Sequence, residues 1–238
     1  MIQYSKTPIR QYENFIRDIL NSSVRRINWE SLEEKGDMFV DKIQSLFKTE
    51  NSMSWSFYCS SLDTLGDSTM AIVSFQNYRF KRRNEVTGGE QYLRLYGLLN
   101  AVYINYGALM SLAELVKIKN VDIEATFKNT KIYFLRNALA AHPTNFNENG
   151  RMVNYKVARF SLENERQLVV INSSNKFVNY DLNSSINEYI SLAESLLYKV
   201  CSKIVQLRYG SNKSKVSNLL EELDKIKSTA SNTMQPPT

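Results

Sequence analysis

A single histidine stands in the 238-residue sequence, in the segment YFLRNALAAHP, where an arginine and an asparagine precede it. Imidazole exchanges protons near neutral pH, so His142 is a candidate general acid and base. Arg136 carries a permanent charge on a planar fork that matches the oxygens of a phosphate. These residue types are typical of chemistry at a phosphate group.

A helix must position the three residues, and we expect it to stop at Pro143, because proline lacks the amide proton of the helical ladder. His142 then faces the negative end of the helix dipole, which favours the imidazolium, while the nearby arginine opposes it. At about 100° per residue, Arg136 and His142 lie roughly 120° apart around an ideal helix. They can therefore converge where the helix breaks, or meet through a second copy of the same helix.

The segment RNALAAH resembles the Arg-x(4–6)-His motif of the HEPN superfamily, including the polar residue that follows the arginine. Its setting is also similar, since an apolar long helix precedes it and further helices follow. The resemblance implies an all-α bundle, commonly dimeric, that acts as a metal-independent endoribonuclease on single-stranded RNA. In that family the RNA 2′-hydroxyl attacks the adjacent phosphate, which gives a 2′,3′-cyclic phosphate and a 5′-hydroxyl.

The same resemblance implies a role for each residue of the motif. His142 is the acid/base, Arg136 the phosphate clamp and Asn137 the orienting group, in a cleft shared by two protomers of a homodimer. Proteins of this kind serve as toxins of toxin–antitoxin systems or as phage-defence effectors, so the implied partners are RNA and an antitoxin or nucleotidyltransferase.

Two other interpretations remain open. In one, the chain is a non-catalytic HEPN-like module that binds RNA or a protein, and Arg136 and His142 cap the helix and hold a hairpin. In the other, the protein is a helical interaction protein unrelated to HEPN, and the motif arises by chance.

A basic excess favours a polyanionic partner, and this chain has a net charge of +6 and a pI of about 9.1. The densest basic run is YRFKRR, in which Tyr78 or Phe80 could stack on a base. A solvated helix end is the competing interpretation of this run, because cations there complement the dipole. The candidate RNA-binding residues are Arg79, Lys81, Arg82 and Arg83.

Only 8 glycines and 4 prolines occur in the chain, which indicates long helices and a mainly α fold. We expect N-terminal helices over residues 1–83, packed on a HEPN-like helical bundle over residues 84–228. The first of them has an apolar stripe at helical spacing, formed by Tyr12, Phe15, Ile16, Ile19 and Leu20. Near-alternating β-rich runs predict a small antiparallel hairpin or meander inserted at about residues 151–182. Residues 229–238 are expected to form a disordered polar tail.

The sequence predicts no metal and no cofactor, since one histidine and two distant cysteines do not make a typical zinc set. Cys59 and Cys201 are interpreted as buried small apolar residues in a reducing compartment. The N-terminal residues contain no apolar run of the signal-peptide type, and no stretch has the length of a membrane span. We therefore expect a soluble cytoplasmic protein.

Overall fold

The structure is a computed structural model that describes residues 1–25, 39–47, 54–80, 87–119, 121–148, 150–163 and 167–233. The helices in these ranges are α1 (Pro8–Val24), α2 (Phe39–Phe47), α3 (Ser54–Tyr78), α4 (Gly88–Leu115), α5 (Val121–Lys128), α6 (Lys131–Leu135), α7 (Leu182–Tyr209) and α8 (Lys213–Thr233). A π-helical segment, Arg136–Ala141, continues α6. The strands are β1 (Phe146–Glu148), β2 (Arg151–Val153), β3 (Tyr155–Val157), β4 (Gln167–Asn172) and β5 (Phe177–Asp181).

The prediction of a mainly helical fold with a small antiparallel β insertion is confirmed. The insertion forms two sheets, β1–β2 and β3–β4–β5, in which every pair of neighbouring strands is antiparallel. It begins at Phe146, a few residues before the predicted start. Gly150 lies in the turn between β1 and β2 with a φ of 82°, a left-handed conformation that favours glycine.

The chain divides into two compact units, and neither is continuous in sequence. The first unit comprises Met1–Gln3, Asp67–Gly107 and Val121–Leu192, and the second comprises Tyr4–Gly66, Ala108–Asn120 and Ala193–Thr238. The predicted boundary between residues 83 and 84 stays a prediction. Helix α8 continues to Thr233, so the first five residues of the predicted tail, 229–233, are helical, and residues 234–238 lie outside the described ranges.

The first unit is organised around a buried polar contact as well as apolar packing. Asn105 on α4 has no exposed surface, and its amide nitrogen donates to the hydroxyls of Ser68 and Thr69 at 2.9 and 3.0 Å. The Tyr189 hydroxyl donates to the Asn105 side-chain oxygen at 2.9 Å. Because a buried polar group without a partner is costly, these bonds fix the register of three helices within the unit.

The second unit buries the apolar stripe of α1 that the sequence predicts. Thr7 caps this helix, since its hydroxyl accepts from the Arg10 amide at 3.3 Å, and Pro8 occupies the first helical position. The predicted stripe is almost fully buried, with 0–4% of each residue exposed: Tyr12, Phe15, Ile16, Ile19 and Leu20.

A charged cluster lies beside this stripe. Glu13 is 1% exposed, and its carboxylate pairs with Arg10 and with Arg17, whose Nε lies 2.9 Å away. The Tyr4 hydroxyl donates to the same carboxylate at 3.2 Å. Gly66 on α3 packs against this group, because a Cβ placed on it would lie 3.0 Å from both Glu13 Oε2 and the Tyr4 hydroxyl.

We predict that Gly66→Ala is destabilising, although alanine normally stabilises a helix interior by about 0.5–1 kcal/mol relative to glycine. The added methyl group must push Glu13 away from the arginines that hold it. Gly107→Ala is the matched control, since none of the described residues outside its own stretch of helix lies within 4 Å of its Cβ position. We expect this variant to raise the unfolding free energy. Urea denaturation of both variants checks this, and an equal stabilisation of both would contradict it.

A second buried acid lies on α7. Glu194 is 8% exposed, and burial raises the pKa of its carboxyl from 4.5 to about 7. Among the described residues, none donates a hydrogen bond to this carboxyl. In the unfolded chain the group ionises near pH 4.5, whereas the folded protein keeps the proton until about pH 7. Ionisation therefore favours the unfolded chain, and stability falls as the pH rises through this window.

We predict that Glu194→Gln raises the melting temperature by several degrees at pH 8 and changes it little at pH 4.5. The expected gain is about 3 kcal/mol, because the shift from 4.5 to about 7 is worth 1.36 kcal/mol per pKa unit. Glu188→Gln, at an exposed position of the same helix, is the control and should show no such pH dependence. Calorimetry at the two pH values measures this, and equal shifts at both would contradict it.

None of the described helices combines the length and the apolar character that crossing a bilayer requires. Cys201 is buried, as the sequence predicts, whereas Cys59 is only half-buried, and both are free thiols.

Candidate functional site

Arg136 lies at the start of the π-helical segment, and two contacts fix its guanidinium. The group stacks over the ring of Tyr103 on α4, with 3.6 Å between the guanidinium carbon and the ring centroid. Its NH1 donates to the side-chain oxygen of Asn137 at 2.8 Å. Arg136 and Asn137 are half-buried and Tyr103 is 40% exposed, so the charge is held in place but stays within reach of solvent.

His142 ends the same helix. Its backbone amide donates to the Asn137 carbonyl at 2.9 Å, which is the five-residue spacing of a π-helix. Its φ and ψ of −133° and 50° leave the helical region, so the chain turns away at this residue. The imidazole is exposed, and none of the described residues makes a hydrogen bond with it. The side chain is free to contact a ligand.

Aromatic residues support the arginine side of the site. Tyr133 on α6 packs against Tyr103 and Tyr106, with ring centroids 6.3 and 5.3 Å apart. Tyr106 in turn contacts Phe127 on α5, and Phe127 contacts Tyr189 on α7. Burial raises the pKa of the Tyr106 and Tyr133 phenols, so both are neutral hydrogen-bonding groups in the physiological range. These aromatic contacts join α4, α5, α6 and α7 within the first unit.

The β insertion is attached directly to the end of the Arg136–His142 helix. The Tyr155 amide on β3 donates to the Pro143 carbonyl, one residue after His142, at 3.1 Å. The ring of Phe134 on α6 contacts Phe146, Tyr155 and Tyr180 at centroid distances of 5.6, 5.5 and 6.1 Å. These contacts hold both sheets against the helix that carries the candidate site.

Tyr155 also has a polar contact inside the insertion. Its hydroxyl donates to Glu148 Oε2 at 3.0 Å, and burial together with this carboxylate raises the pKa of the phenol to about 12. Glu148 lies on β1 and Tyr155 on β3, so this bond links the two-stranded sheet to the three-stranded one. The insertion therefore behaves as one supported element rather than as two separate loops.

The structure brings Arg136 and Asn137 together, but no hydrogen bond among the described residues joins either side chain to the imidazole of His142. The cap expected in the non-catalytic interpretation is not present as a side-chain bond: the His142 backbone amide, and not its ring, bonds to the helix. Sequence reasoning missed Tyr103 as part of the site. Four tyrosines recur near helical spacing on α4, and this spacing alone does not show which of them faces Arg136.

Of the predicted RNA-binding residues, only Arg79 is in the described part of the chain. It follows α3 with a φ of 46°, and its carbonyl accepts from Arg94 NH1 at 3.1 Å. Phe80 is 2% exposed and packs edge-on against Phe75, so it cannot stack on a base as the sequence suggested. Tyr78 is 46% exposed and, with Arg79, lines an open groove of about 420 Å³. Lys81, Arg82 and Arg83 lie outside the described residues.

The described residues contain no group of three or more histidine, cysteine, aspartate or glutamate side chains placed to hold a metal ion. Comparison with family profiles, with curated proteins and with solved structures finds no match to this chain.

Phe134→Ala should loosen the β insertion while leaving the second unit intact. Replacing a fully buried phenylalanine by alanine costs roughly 3–5 kcal/mol of stability. For this half-buried ring we expect the insertion to lose about 2 kcal/mol of local stability. Hydrogen–deuterium exchange at the β3 and β4 amides measures the loss. Phe57→Ala, at a 44% exposed position of α3, is the control. Unchanged protection of β3 in Phe134→Ala would show that the aromatic contacts do not hold the insertion.

Proposed function

We propose that the protein is a metal-independent endoribonuclease of the HEPN type that cuts single-stranded RNA and leaves 2′,3′-cyclic phosphate ends. The proposal rests on one arrangement. Arg136, which Tyr103 and Asn137 hold in place, begins the π-helical segment, and the exposed His142 ends it. A histidine with a structural role would be expected to be buried or to bond, whereas the ring of His142 is exposed and makes no hydrogen bond with any of the described residues. π-helical turns are also frequent at functional sites.

Arg136 is the proposed phosphate clamp. A guanidinium has five N–H donors, and the bond to Asn137 uses one, so four remain for the oxygens of a phosphate. The Tyr103 ring holds the plane of the group, which lowers the cost of ordering it when a phosphate binds. A clamp that is fixed in advance stabilises the charge that develops on the phosphate in the transition state.

His142 is the proposed acid/base. Its neutral imidazole takes the proton of the RNA 2′-hydroxyl as the 2′-oxygen forms a bond to phosphorus. The bond from phosphorus to the 5′-oxygen breaks, and that oxygen receives a proton to become a 5′-hydroxyl. One imidazole cannot take and give a proton in the same step, so a second copy of His142 serves as the acid.

We therefore propose a homodimer with a composite site. The exposed side of α4 carries large apolar residues at helical spacing, and such a surface is typical of a protein interface. Tyr103, on which Arg136 stacks, belongs to this surface, so a second copy placed there lies next to both clamps. The residues and their exposed fractions are Leu93 71%, Tyr96 42%, Tyr103 40% and Ile104 42%.

The biological setting follows from the same proposal. A nuclease of this type acts as a toxin or as a phage-defence effector, so an antitoxin or a nucleotidyltransferase is the expected protein partner. Arg79, with Lys81, Arg82 and Arg83, is the proposed basic contact to the RNA backbone, in keeping with the net charge of +6.

A non-catalytic HEPN-like module that binds RNA or a protein is the alternative. In it, Arg136 and His142 would hold the β insertion in place. The contacts found there belong instead to Phe134 and to the backbone at Pro143 and Tyr155. Loss of RNA cutting without loss of stability in the variants below would exclude this alternative.

We predict that His142→Ala and Arg136→Ala abolish the cutting of labelled single-stranded RNA in the presence of a chelator, with the melting temperature unchanged. Loss of the acid/base should cost roughly 10²–10⁴-fold in rate, and loss of the clamp roughly 10²–10³-fold. Arg136→Lys should be nearly as slow, because a point charge does not replace a planar fork. Asn137→Ala should be milder, since its backbone carbonyl still holds His142.

Two further variants test the contact with Tyr103. Tyr103→Ala should slow cutting about tenfold, the size of a partly buried cation–π contact, whereas Tyr103→Phe should keep the rate because the ring remains. Arg25→Ala, which removes an exposed arginine at the end of α1, is the control for a simple loss of charge. Cutting that survives His142→Ala would refute the proposed mechanism.

A further inference from the structure

The outer face of the three-stranded sheet presents an unusual row of side chains. Lys156 on β3 is paired with Ile171 on β4, which is paired with Phe177 on β5. Residues directly opposite one another in antiparallel strands project from the same face, so the three lie side by side. Phe177 is 62% exposed and Lys156 is also exposed. The opposite face includes Tyr180, which stacks on Phe134.

The position of Phe177 is fixed by the turn that precedes it. The Asn172 side-chain oxygen accepts from the Ser174 and Lys176 amides, each at 3.0 Å. The Asn172 amide also donates to the Lys176 carbonyl at 3.1 Å. The sheet therefore holds a large apolar ring in solvent on a supported backbone. Such an arrangement is typical of a surface on which a flat group stacks.

A lysine in the same row as the ring favours an anionic partner. Lys156 lies two strands away from Phe177, and its side chain has no partner among the described residues. Two acids of the insertion have described side chains, and each accepts a hydrogen bond: Glu148 from Tyr155, and Asp181 from the Ser184 amide at the start of α7. The cores of protein interfaces are depleted in lysine. An exposed aromatic ring beside a lysine therefore fits a nucleic acid better than a protein.

We propose that this face is the RNA-recognition surface of the nuclease, on which one base of single-stranded RNA stacks on Phe177 while Lys156 contacts a flanking phosphate. The inference rests on the proposed function and deepens it. The surface is tied to the candidate catalytic residue through the backbone, because Tyr155 precedes Lys156 and bonds to Pro143, which follows His142. The β insertion then selects and places the strand that His142 cuts.

The test uses the full-length His142→Ala protein, which should bind RNA without cutting it, and a fluorescein-labelled single-stranded RNA of about 12 nucleotides. Anisotropy gives the dissociation constant. Stacking is worth about 1–3 kcal/mol per base, so adding Phe177→Ala should weaken binding roughly 5- to 150-fold, whereas Phe177→Tyr should retain it. Lys156→Gln should reduce the slope of log K against log salt concentration by about 0.7, the loss of one phosphate contact.

Phe160→Ala is the matched control, because Phe160 is also 62% exposed and belongs to the same insertion but lies outside the row. Its affinity should stay within about twofold of the parent protein. Equal affinities of the parent and Phe177→Ala, or a failure of the parent to bind RNA, would overturn the inference. So would a change in dimer mass by light scattering in Phe177→Ala with RNA affinity unchanged, since the face would then be a protein contact.

The two proposals can fail separately. If the wild-type protein cuts RNA and Phe177→Ala cuts and binds it equally well, the nuclease stands and the recognition surface is wrong. If Phe177→Ala loses affinity while the wild-type protein never cuts, the recognition surface stands and the nuclease is wrong.

Discussion

Asn137 makes two hydrogen bonds on which the arrangement of the candidate site depends. Its side-chain oxygen accepts from Arg136, and its backbone carbonyl accepts from the amide of His142. One residue thus fixes the direction of the clamp and the point at which the helix ends. Because the second bond spans five residues, the turn is wider than an α-helical one, and the imidazole is left at the end of the helix facing solvent.

The β insertion explains how this turn is kept in place. A short helix that ends in a π-helical turn has few bonds of its own, since its last carbonyls lack helical partners. Here the Tyr155 amide donates a hydrogen bond to the Pro143 carbonyl, and the ring of Phe134 contacts both sheets. The insertion is therefore the element that supports the end of the Arg136–His142 helix.

Local sequence signals predict much of the fold, because they depend on residues close in the chain. The helical spacing of the α1 stripe and the alternation in β4 and β5 identify their elements, and Pro143 marks the end of the motif helix. The contacts of the site depend on residues far apart in sequence. Arg136 lies 33 positions from Tyr103, so no periodicity could pair them. The π-helical turn is equally invisible, since RNALAA is also a good α-helical sequence.

The ends of the RNA fragments show most clearly whether His142 catalyses the proposed cleavage. Purified full-length protein is incubated with single-stranded RNA in excess chelator, and the ends of the fragments are examined by phosphorus NMR. We predict that a 2′,3′-cyclic phosphate signal grows with the wild-type protein and is absent with His142→Ala. Fragments that carry linear phosphate ends from the start, or a cyclic phosphate that forms equally in His142→Ala, would contradict it.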